Sequence, residues 1–384
     1  MITTIVFLVV LSVLVLAHEL GHFSTARYFG IRITEFGLGF PPRAIGWYKN
    51  KLGKRVKVVG GRSFESLEAS EDEKIQPKKG VTIYSLNWLP LGGFVKIKGE
   101  NGDDRNDSDS FGAKPIWQRI IVLIAGVSMN VLLAWLLFSV GYMIGLPQTT
   151  SDLGPKAIVS EQAVLVADVL SDSPAARSGF LAGDKIIKAN DISVDTENSL
   201  QDIIADRGDI ETEVLIVRAE EEMLLKVVPE ISNERAVIGV SIFAAGTVRY
   251  PFFFAFAEGA KTTVWTLKEI FVAFGGLFKD MFSGVNVGDQ LAGPIGIANI
   301  TGQAARLGFV YLLQFTALLS LNLAVINILP VPALDGGRVL FLLIEKLRGK
   351  PVKKEIENVI NNISFLLLMV LILFITSKEV IALF

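Results

Sequence analysis

The chain has 384 residues, of which 51% are hydrophobic and 20% charged, with a formal net charge of −2. This composition, with a mean hydropathy of +0.49, is typical of a polytopic membrane protein with a soluble part, and the charge argues against nucleic acid as a partner. Because the sequence contains no cysteine, it excludes disulfides, thiolate metal sites and a cysteine nucleophile.

The first predicted element is an apolar segment, residues 1–29, that is long enough to cross a bilayer. It lacks the basic start and the cleavage site of a signal peptide, so we expect it to be retained. Its second half contains His18-Glu19-Leu20-Gly21-His22, and residues four apart share one face of a helix. The two histidines, the only ones in the sequence, can therefore bind one metal ion, with Glu19 beside a metal-bound water. Ionisable groups in hydrocarbon cost about 2.5 kcal/mol or more each, which favours a functional role.

Residues 30–116 combine basic side chains with alternating patterns that are typical of strands. We predict a small antiparallel sheet at the membrane surface, lying against the first span, with a charged and mobile insertion at Gly60–Gly80. The predicted strand runs are Arg55–Val59, Val81–Leu86 and Leu89–Ile97. Gly37-Leu38-Gly39-Phe40 resembles the carboxylate-binding loop of a PDZ domain, but its position beside the first span marks it as a false lead.

A second span is predicted at residues 117–146, where Ala125 and Gly126 permit close helix packing. Asn130 is polar at membrane depth. It either forms a helix–helix hydrogen bond or supports the histidine motif, and the sequence leaves both interpretations open.

Residues 151–245 have the composition of a soluble α/β domain, with a strand at Ala163–Leu170 and a hairpin formed by Val214–Arg218 and Leu224–Val228. The order Ser-Pro-Ala, Gly-Phe, Gly-Asp from Ser173 to Asp184 resembles a PDZ domain of the bacterial protease type. Such a domain is expected to bind a newly formed C-terminus or to exclude bulky substrates. Residues 251–300 then predict an amphipathic interfacial helix, and Gln290–Ile297 a helix breaker.

The third predicted span, residues 307–347, is interrupted by Pro330 and Pro332, which precede Asp335 and Gly336. Since proline lacks an N–H group and breaks a helix, the segment is predicted to be a broken helix with unpaired carbonyl groups. The break frees Asp335 to turn toward the first span. A fourth span is predicted at residues 354–384.

Basic residues cluster after the first span and again before the fourth. The positive-inside rule places both loops, residues 30–116 and 338–354, in the cytoplasm. Both termini and the PDZ-like domain are then extracytoplasmic, in a cell (inner) membrane. The predicted fold class is a polytopic α-helical membrane protein of about four spans, with a membrane-associated sheet and one extracytoplasmic PDZ-like α/β domain.

A catalytic zinc ion takes three protein ligands and keeps one position open for water. With two histidines and no cysteine in the sequence, the third ligand must be Asp or Glu. Among the carboxylates in predicted membrane segments, the candidates are Glu19, Asp335 and, less centrally, Glu345, and the broken helix favours Asp335. Zinc lowers the pKa of its water to about 7, which lets Glu19 act as the general base.

Several residues around this set are candidates for binding substrate or supporting the site: Asn322, Asn327, Pro330, Pro332, Asn130 and Gly336. The two asparagines of the third span either cap helix ends or donate hydrogen bonds to an extended substrate or an oxyanion. Gly336 and Gly337 are expected to let the backbone approach the metal closely.

Together these motifs resemble the site-2 protease family of intramembrane zinc metalloproteases, in its bacterial regulator-of-sigma-E branch. The matching segments are His18–His22, Leu91–Lys96, Ala125–Asn130, Gly293–Ile297 and Asn327–Gly336. The resemblance implies zinc ligation by His18, His22 and Asp335, with Glu19 as the catalytic base. The sequence departs from the family in having one PDZ-like domain, Val127 in place of a proline, and the Gly60–Gly80 insertion.

The resemblance also implies regulated intramembrane proteolysis of single-span membrane proteins already trimmed by another protease, or of signal-peptide remnants. Exposed strand edges, expected at Val56–Val59 and Tyr84–Leu86, would hold the unwound substrate by strand addition. The alternatives are a non-proteolytic PDZ-bearing membrane scaffold and a metal transporter. Neither alternative requires Glu19 between the histidines.

Overall fold

The computed structural model describes residues 2–60, 64–78, 80–100, 106–150, 153–205, 207–218, 221–232, 235–285 and 292–381. The chain forms two compact units, residues 1–138 with 259–384, and residues 139–258. The helices of the described part are α1 (Ile2–Tyr28), α2 (Phe64–Glu68), α3 (Ile116–Ile144), α4 (Pro174–Arg177), α5 (Glu197–Ala205), α6 (Phe252–Phe282), α7 (Pro294–Leu307), α8 (Phe309–Ile328), α9 (Asp335–Arg348) and α10 (Lys354–Ile381). The strands are β1 (Ile33–Lys49), β2 (Arg55–Val58), β3 (Ile83–Ile97), β4 (Leu146–Thr149), β5 (Ile158–Val169), β6 (Lys185–Ala189), β7 (Ile192–Ser193), β8 (Thr212–Arg218), β9 (Glu221–Val227), β10 (Glu230–Ser232), β11 (Arg235–Val237) and β12 (Val240–Arg249).

Four helices in the described residues, α1, α3, α8 and α10, are long and apolar enough to cross a membrane. They overlap the four predicted spans. The third predicted span is divided, because α8 ends at Ile328 and α9 begins only at Asp335, after the two prolines.

The helix α7 was not expected. The segment from Gly293 was interpreted from sequence as a helix breaker, but it forms the start of α7, with Gly293 before the helix and Pro294 in its first turn. A proline in the first turn favours a helix start, because the N–H group it lacks would have had no partner in the helix. The first two residues of the predicted breaker, 290–291, lie outside the described part of the chain.

The small sheet of the first unit has the order β2-β1-β3 and is antiparallel. Its two long strands bend, so that each half pairs separately. Phe36 lies opposite both Val95 and Tyr84, and Tyr84 also lies opposite Trp47. The expected edge at Tyr84–Leu86 is therefore wrong, since these residues are central. Among the described residues, the edges without a partner strand are β2 and the segment Gly93–Ile97, and β3 packs against α1.

The insertion expected to be mobile is partly a packed element. Within it, α2 buries Phe64 and Leu67, each with 2% of its surface exposed, in a cluster with Tyr48, Val58 and Ile83. Two apolar side chains three residues apart lie on one helical face, which is enough to attach a one-turn helix to the sheet. The charge of this segment hid that short apolar face in the sequence.

The second unit contains a seven-stranded sheet with the main order β4-β12-β5-β6-β8-β9. The hairpin expected around residue 220 is present as β8 and β9, in antiparallel register from Thr212 opposite Val227. The core lies between this sheet and α5 and includes Val164, Ile186 and Leu200. The sheet extends beyond the predicted domain boundaries of 151 and 245, because β4 and β12 carry it to residues 146 and 249.

Candidate metal centre

The centre starts from two buried histidines on α1. His18 and His22 have 7% and 6% of their surface exposed, and their Nε2 atoms lie 3.1 Å apart. A spacing of four residues places both rings on the same helical face, as the sequence predicts. Their imidazole rings pack edge to face, with centroids 4.7 Å apart and planes at 79°.

Asp335 completes the set from the N-terminus of α9. Its Oδ2 atom lies 3.0 Å from Nε2 of His18 and 3.2 Å from Nε2 of His22. Among the described residues, these three side chains form the one cluster with ligand atoms close enough for a shared metal ion. Glu345, the alternative carboxylate, is instead held by Arg119 through two hydrogen bonds, of 3.2 and 2.6 Å.

The spacing fits a zinc ion. Three ligand atoms bound to tetrahedral zinc at about 2.0–2.1 Å are about 3.3 Å apart, close to the 3.0–3.2 Å observed here. Two neutral imidazole nitrogens and a carboxylate oxygen at this distance direct lone pairs at one another, which is unfavourable unless a cation lies between them. The donor set, two nitrogens and one oxygen, is one that catalytic zinc uses.

The break between α8 and α9 brings Asp335 to this position. An added Cβ at Gly336 would lie 2.2 Å from the carbonyl oxygens of Ile328 and Leu329, and one at Gly337 would lie 2.4 Å from that of Val331. The two glycines therefore let α9 begin directly against the end of α8. The expectation that they let the backbone approach the metal closely stays a prediction, since the atoms next to them here are carbonyl oxygens.

The helix α3 orients His22 and makes room for both rings. Nδ1 of His22 donates a hydrogen bond to the carbonyl oxygen of Val122 at 2.8 Å, which leaves Nε2 unprotonated for a metal. At Gly126, an added Cβ would lie 2.4 Å from Nε2 of His22 and 2.8 Å from Cε1 of His18. Any side chain larger than hydrogen at this position would displace the ligand rings.

Two asparagines face the other nitrogen of His18. The side-chain amide of Asn130 lies 3.4 Å from Nδ1, and that of Asn327 lies 3.5 Å away. Oδ1 of Asn130 is buried and has no hydrogen-bond partner among the described residues. Turning this amide by 180° would let Oδ1 accept a hydrogen bond from Nδ1–H of His18. This contact fits the supporting role considered for Asn130.

The remaining predicted residues lie elsewhere or in the connecting loop. Nδ2 of Asn322 donates to the carbonyl oxygen of Leu318 in its own helix, so the structure does not bring it to the histidines. Pro330 is exposed and Pro332 half-buried, and both lie in the segment between α8 and α9. Their position accounts for the break in the helix.

Glu19 lies between the histidines and the sheet. Its carboxylate accepts a hydrogen bond from the backbone of Val95, and its Cγ lies 4.0 Å from an added Cβ at Gly93. Both residues belong to the free edge of β3. A carboxylate next to a metal ligand and beside an open strand edge is placed to meet an extended chain and a water molecule together.

Two ion pairs hold α9, and sequence reasoning missed both. Arg119 of α3 pairs with Glu345, and Arg338 pairs with Glu100, next to β3. Arg119 is 6% exposed. The available signal was the presence of charged residues near apolar segments. The two residues of each pair lie more than 200 positions apart in the chain, so the sequence does not show which charges meet.

His18, Glu19 and His22 lie on a helix that can cross a membrane, and Asp335 meets the two histidines from the start of α9. This arrangement defines a membrane-embedded metallopeptidase. The comparisons with known proteins agree. The model of Peptidase family M50 matches residues 6–60 and 72–371, and the chain belongs to this family.

Similar proteins span the whole chain. A putative zinc metalloprotease of Clostridium perfringens, CPE1693, is 34% identical over 375 residues, which cover 97% of each protein. The regulator of sigma-W protease RasP of Bacillus subtilis is 28% identical over 434 residues, covering 100% of this chain and 99% of the relative. A solved PDZ domain of a Listeria monocytogenes SdrC-like protein covers 22% of this chain at 18% identity, with a TM-score of 0.21. A score of that size does not define a fold.

Proposed function

We propose that this chain is a zinc-dependent intramembrane peptidase that cleaves single-span membrane proteins in or near their membrane-spanning segments. The observation that carries the proposal is the convergence of His18, His22 and Asp335, whose ligand atoms lie 3.0–3.2 Å apart. Buried imidazoles and a carboxylate in an apolar environment are costly without a function. The names of the zinc metalloprotease relatives support the choice of metal.

The proposed roles follow from the contacts. His18, His22 and Asp335 would hold the zinc ion, which would supply Lewis-acid polarisation and lower the pKa of a water molecule. Glu19 takes the proton of the attacking water and passes it to the leaving amine. Val95 holds the carboxylate of Glu19 on the side of the histidines. Asn130 and Asn327 keep the ring of His18 in place.

The substrate must be unwound before attack, because a helix hides its peptide bonds in hydrogen bonds. Gly93–Ile97 pairs on one side with β1, and among the described residues no strand pairs with its other side. We propose that the unwound segment adds to this edge, where Val95 places it beside Glu19. This edge replaces Tyr84–Leu86 as the site of strand addition, and we prefer it to the β2 edge at Val56–Val58 because Val95 contacts Glu19.

The PDZ-like unit is proposed to act on the trimmed end of the substrate. A cavity of about 580 Å³ lies between α5 and the start of β12, with Leu200, Ile204 and Val240 among its lining residues. A groove between a helix and a strand edge accepts an extended chain. It would bind the C-terminus left by an earlier protease, whereas a bulky ectodomain would not fit.

The orientation is part of the proposal. Basic residues surround β1 and β2 and follow α9, which supports a cytoplasmic location for the loops 30–116 and 338–354. Both termini and the PDZ-like unit would then face the outside of the inner membrane. The partners are the lipid bilayer and single-span substrates.

The decisive experiment is cleavage of a model single-span substrate, with its ectodomain removed, by the purified full-length chain in detergent. Wild type, Glu19→Gln and wild type with a chelator are compared side by side. We expect cleavage by wild type alone, restored in the chelated sample by zinc. If the chain bound about one zinc ion but did not cleave, the peptidase assignment would stand and this substrate would be rejected. If the chain showed no zinc binding and no cleavage, the result would favour the membrane scaffold.

A further inference from the structure

The last membrane helix, α10, has an unusual attachment to the first unit. It is apolar, and none of its described side chains is buried. Apolar packing therefore does little to fix its position along its own axis. Two of its polar side chains, Asn361 and Glu379, instead accept hydrogen bonds from the backbone of other elements.

Glu379 binds the start of α7. Its carboxylate accepts hydrogen bonds from the N–H groups of Gly293 at 2.7 Å, Ile295 at 3.2 Å and Gly296 at 3.0 Å. The first N–H groups of a helix have no partner within it, and a negative charge is favourable there. A single carboxylate therefore satisfies three backbone donors at a helix N-terminus.

The sequence around this contact leaves space for the carboxylate. An added Cβ would lie 2.5 Å from Glu379 Oε2 at Gly293 and 2.6 Å from Oε1 at Gly296. Pro294, between them, has no N–H group that would need a partner. The Gly-Pro-Ile-Gly segment, which the proposed chemistry does not use, thus forms a cradle for the side chain of Glu379.

Asn361 binds the loop that carries the metal ligand. Its Oδ1 atom accepts a hydrogen bond at 3.1 Å from the N–H group of Ala333, two residues before Asp335. Ala333 has a φ of +75°, a conformation that costs about 1 kcal/mol or more for a residue with a Cβ. A hydrogen bond from a neighbouring helix helps to hold the loop in this strained form.

The two contacts lie 18 positions apart, which is about 27 Å along a helix at 1.5 Å per residue. A helix is stiff along its axis, so attachment at one end fixes the height of the other. A slip by one turn, about 5.4 Å, would move Asn361 out of reach of Ala333. Glu379 therefore determines whether Asn361 meets the loop.

We propose that α10 is a clamp on the metal centre, in which Asn361 positions the loop of Asp335 and Glu379, seated in the Gly293–Gly296 cradle, sets the height of α10. Asn361 and Glu379 are positioning residues, since neither contacts the ligand atoms. The inference rests on the proposed role of Asp335 as a zinc ligand. The Gly-Pro-Ile-Gly segment would then help to retain the metal from a distance, by holding Glu379 of α10.

The test measures how fast zinc-loaded full-length protein in detergent loses its metal to a chelator. Asn361→Leu keeps the size of the side chain and removes the acceptor, and Asn361→Asp keeps the acceptor. Since residues that orient a ligand typically change metal affinity 10–100-fold, we expect zinc loss about tenfold faster in Asn361→Leu and near wild type in Asn361→Asp.

Gly296→Ala should accelerate zinc loss in the same direction, because its Cβ would displace the carboxylate of Glu379. Gly275→Ala in α6 is the matched control, since among the described residues no atom lies within 4 Å of an added Cβ there. Combining Asn361→Leu with Gly296→Ala should add little to Asn361→Leu alone, because both act through the contact with Ala333.

Hydrogen exchange of residues 329–335 measures the contact between Asn361 and Ala333 independently of the metal. It should be faster in Asn361→Leu than in Asn361→Asp. Faster exchange with unchanged zinc loss would overturn the positioning role, and so would equal zinc loss from the two Asn361 variants. A wild type that binds no zinc, or His22→Ala protein that retains it fully, would instead overturn the proposed function itself. The exchange measurement separates these failures.

Discussion

At the scale of single residues, the metal centre depends on Gly126 having no side chain. Gly126 of α3 faces both imidazole rings, and His22 Nε2 lies 2.4 Å from where a Cβ would be. His22 is held from its other side by the carbonyl oxygen of Val122. The ring therefore has no direction in which to move without losing a hydrogen bond or leaving the metal position.

We predict that Gly126→Ala weakens zinc binding by at least about tenfold and reduces cleavage by about 10²-fold, since small displacements of catalytic groups have effects of this size. Alanine favours a helix over glycine by about 1 kcal/mol, so the helix itself is not weakened. The measurement is zinc content after dialysis, with Gly275→Ala as the control. Full zinc occupancy in Gly126→Ala would contradict the ligand assignment of the histidines.

A second residue-scale feature is the buried ion pair of the second unit, residues 139–258. Asp184 is 1% exposed and accepts hydrogen bonds from Arg218 at 2.6 and 2.7 Å. Burial alone would raise the pKa of Asp184, but the hydrogen bonds from Arg218 and from the N–H group of Leu181, with the charge of Arg218, lower it below its usual value of 3.8. The pair therefore stabilises the fold while Asp184 is ionised.

Because the folded-state pKa is the lower one, this stabilisation is present above pH 3.8 and is lost as the pH falls through the folded-state pKa. We predict that Arg218→Leu lowers the free energy of unfolding of this unit by about 2 kcal/mol at pH 7 and flattens its decline below pH 4. The free energy of unfolding and its dependence on pH are both measured by urea titration, with unfolding monitored by hydrogen exchange that is corrected for intrinsic rates. The exposed Lys226→Gln should leave them unchanged, and an unaltered slope in Arg218→Leu would reject the linkage.

At the scale of elements, the free edge of β3 is the proposed substrate site. We predict that Val95→Pro abolishes photo-crosslinking of substrate, because proline disturbs the backbone of this edge and removes the N–H group that holds residue 19 beside it. The test uses a Glu19→Gln background, so that it reads binding rather than chemistry. Lys57→Pro on the opposite edge, β2, is the control and should leave crosslinking unchanged. Equal crosslinking in both variants would place the substrate elsewhere.

Local geometry explains which parts of the site the sequence predicts. The spacing of His18 and His22 is fixed by the helix, and the shortage of other ligands leads to Asp335 by elimination. The structure brings these residues together, while their role as ligands stays a prediction. Gly126 was expected only to permit helix packing, because a contact between residues 104 positions apart leaves no periodic signal in the sequence.

The sheet shows the corresponding limit for elements. Alternation identified the strands around Tyr84 and Val95, yet it carries no information about which neighbours a strand has. Tyr84–Leu86 was expected at an edge and is central, because the bend of β1 places one half on each side of it. Likewise, α7 was hidden by Gly293 and Pro294, which break a helix in the interior but favour a helix start.

At the scale of the whole molecule, the number of helices that cross the membrane depends on α6. The 31 residues of α6 are long enough to span it, at about 46 Å. However, charged side chains along α6 exclude it from the helices apolar enough to cross, among the described residues. If α6 lies in the interface, two spans, α3 and α8, separate the β1–β2 loop from the segment after α9. These two segments must then face the same side.

The sequence without cysteine gives a clean background for testing this parity. We predict that Lys57→Cys and Lys350→Cys react with a membrane-impermeant maleimide only after lysis, whereas Asp191→Cys in the PDZ-like unit reacts in intact spheroplasts. All three positions are exposed, so burial does not limit labelling. If Lys57→Cys and Lys350→Cys reacted from opposite sides, α6 would have to cross the membrane as a fifth span. If all three reacted in reverse, four spans would stand with the orientation inverted, and the PDZ-like unit would meet substrates in the cytoplasm.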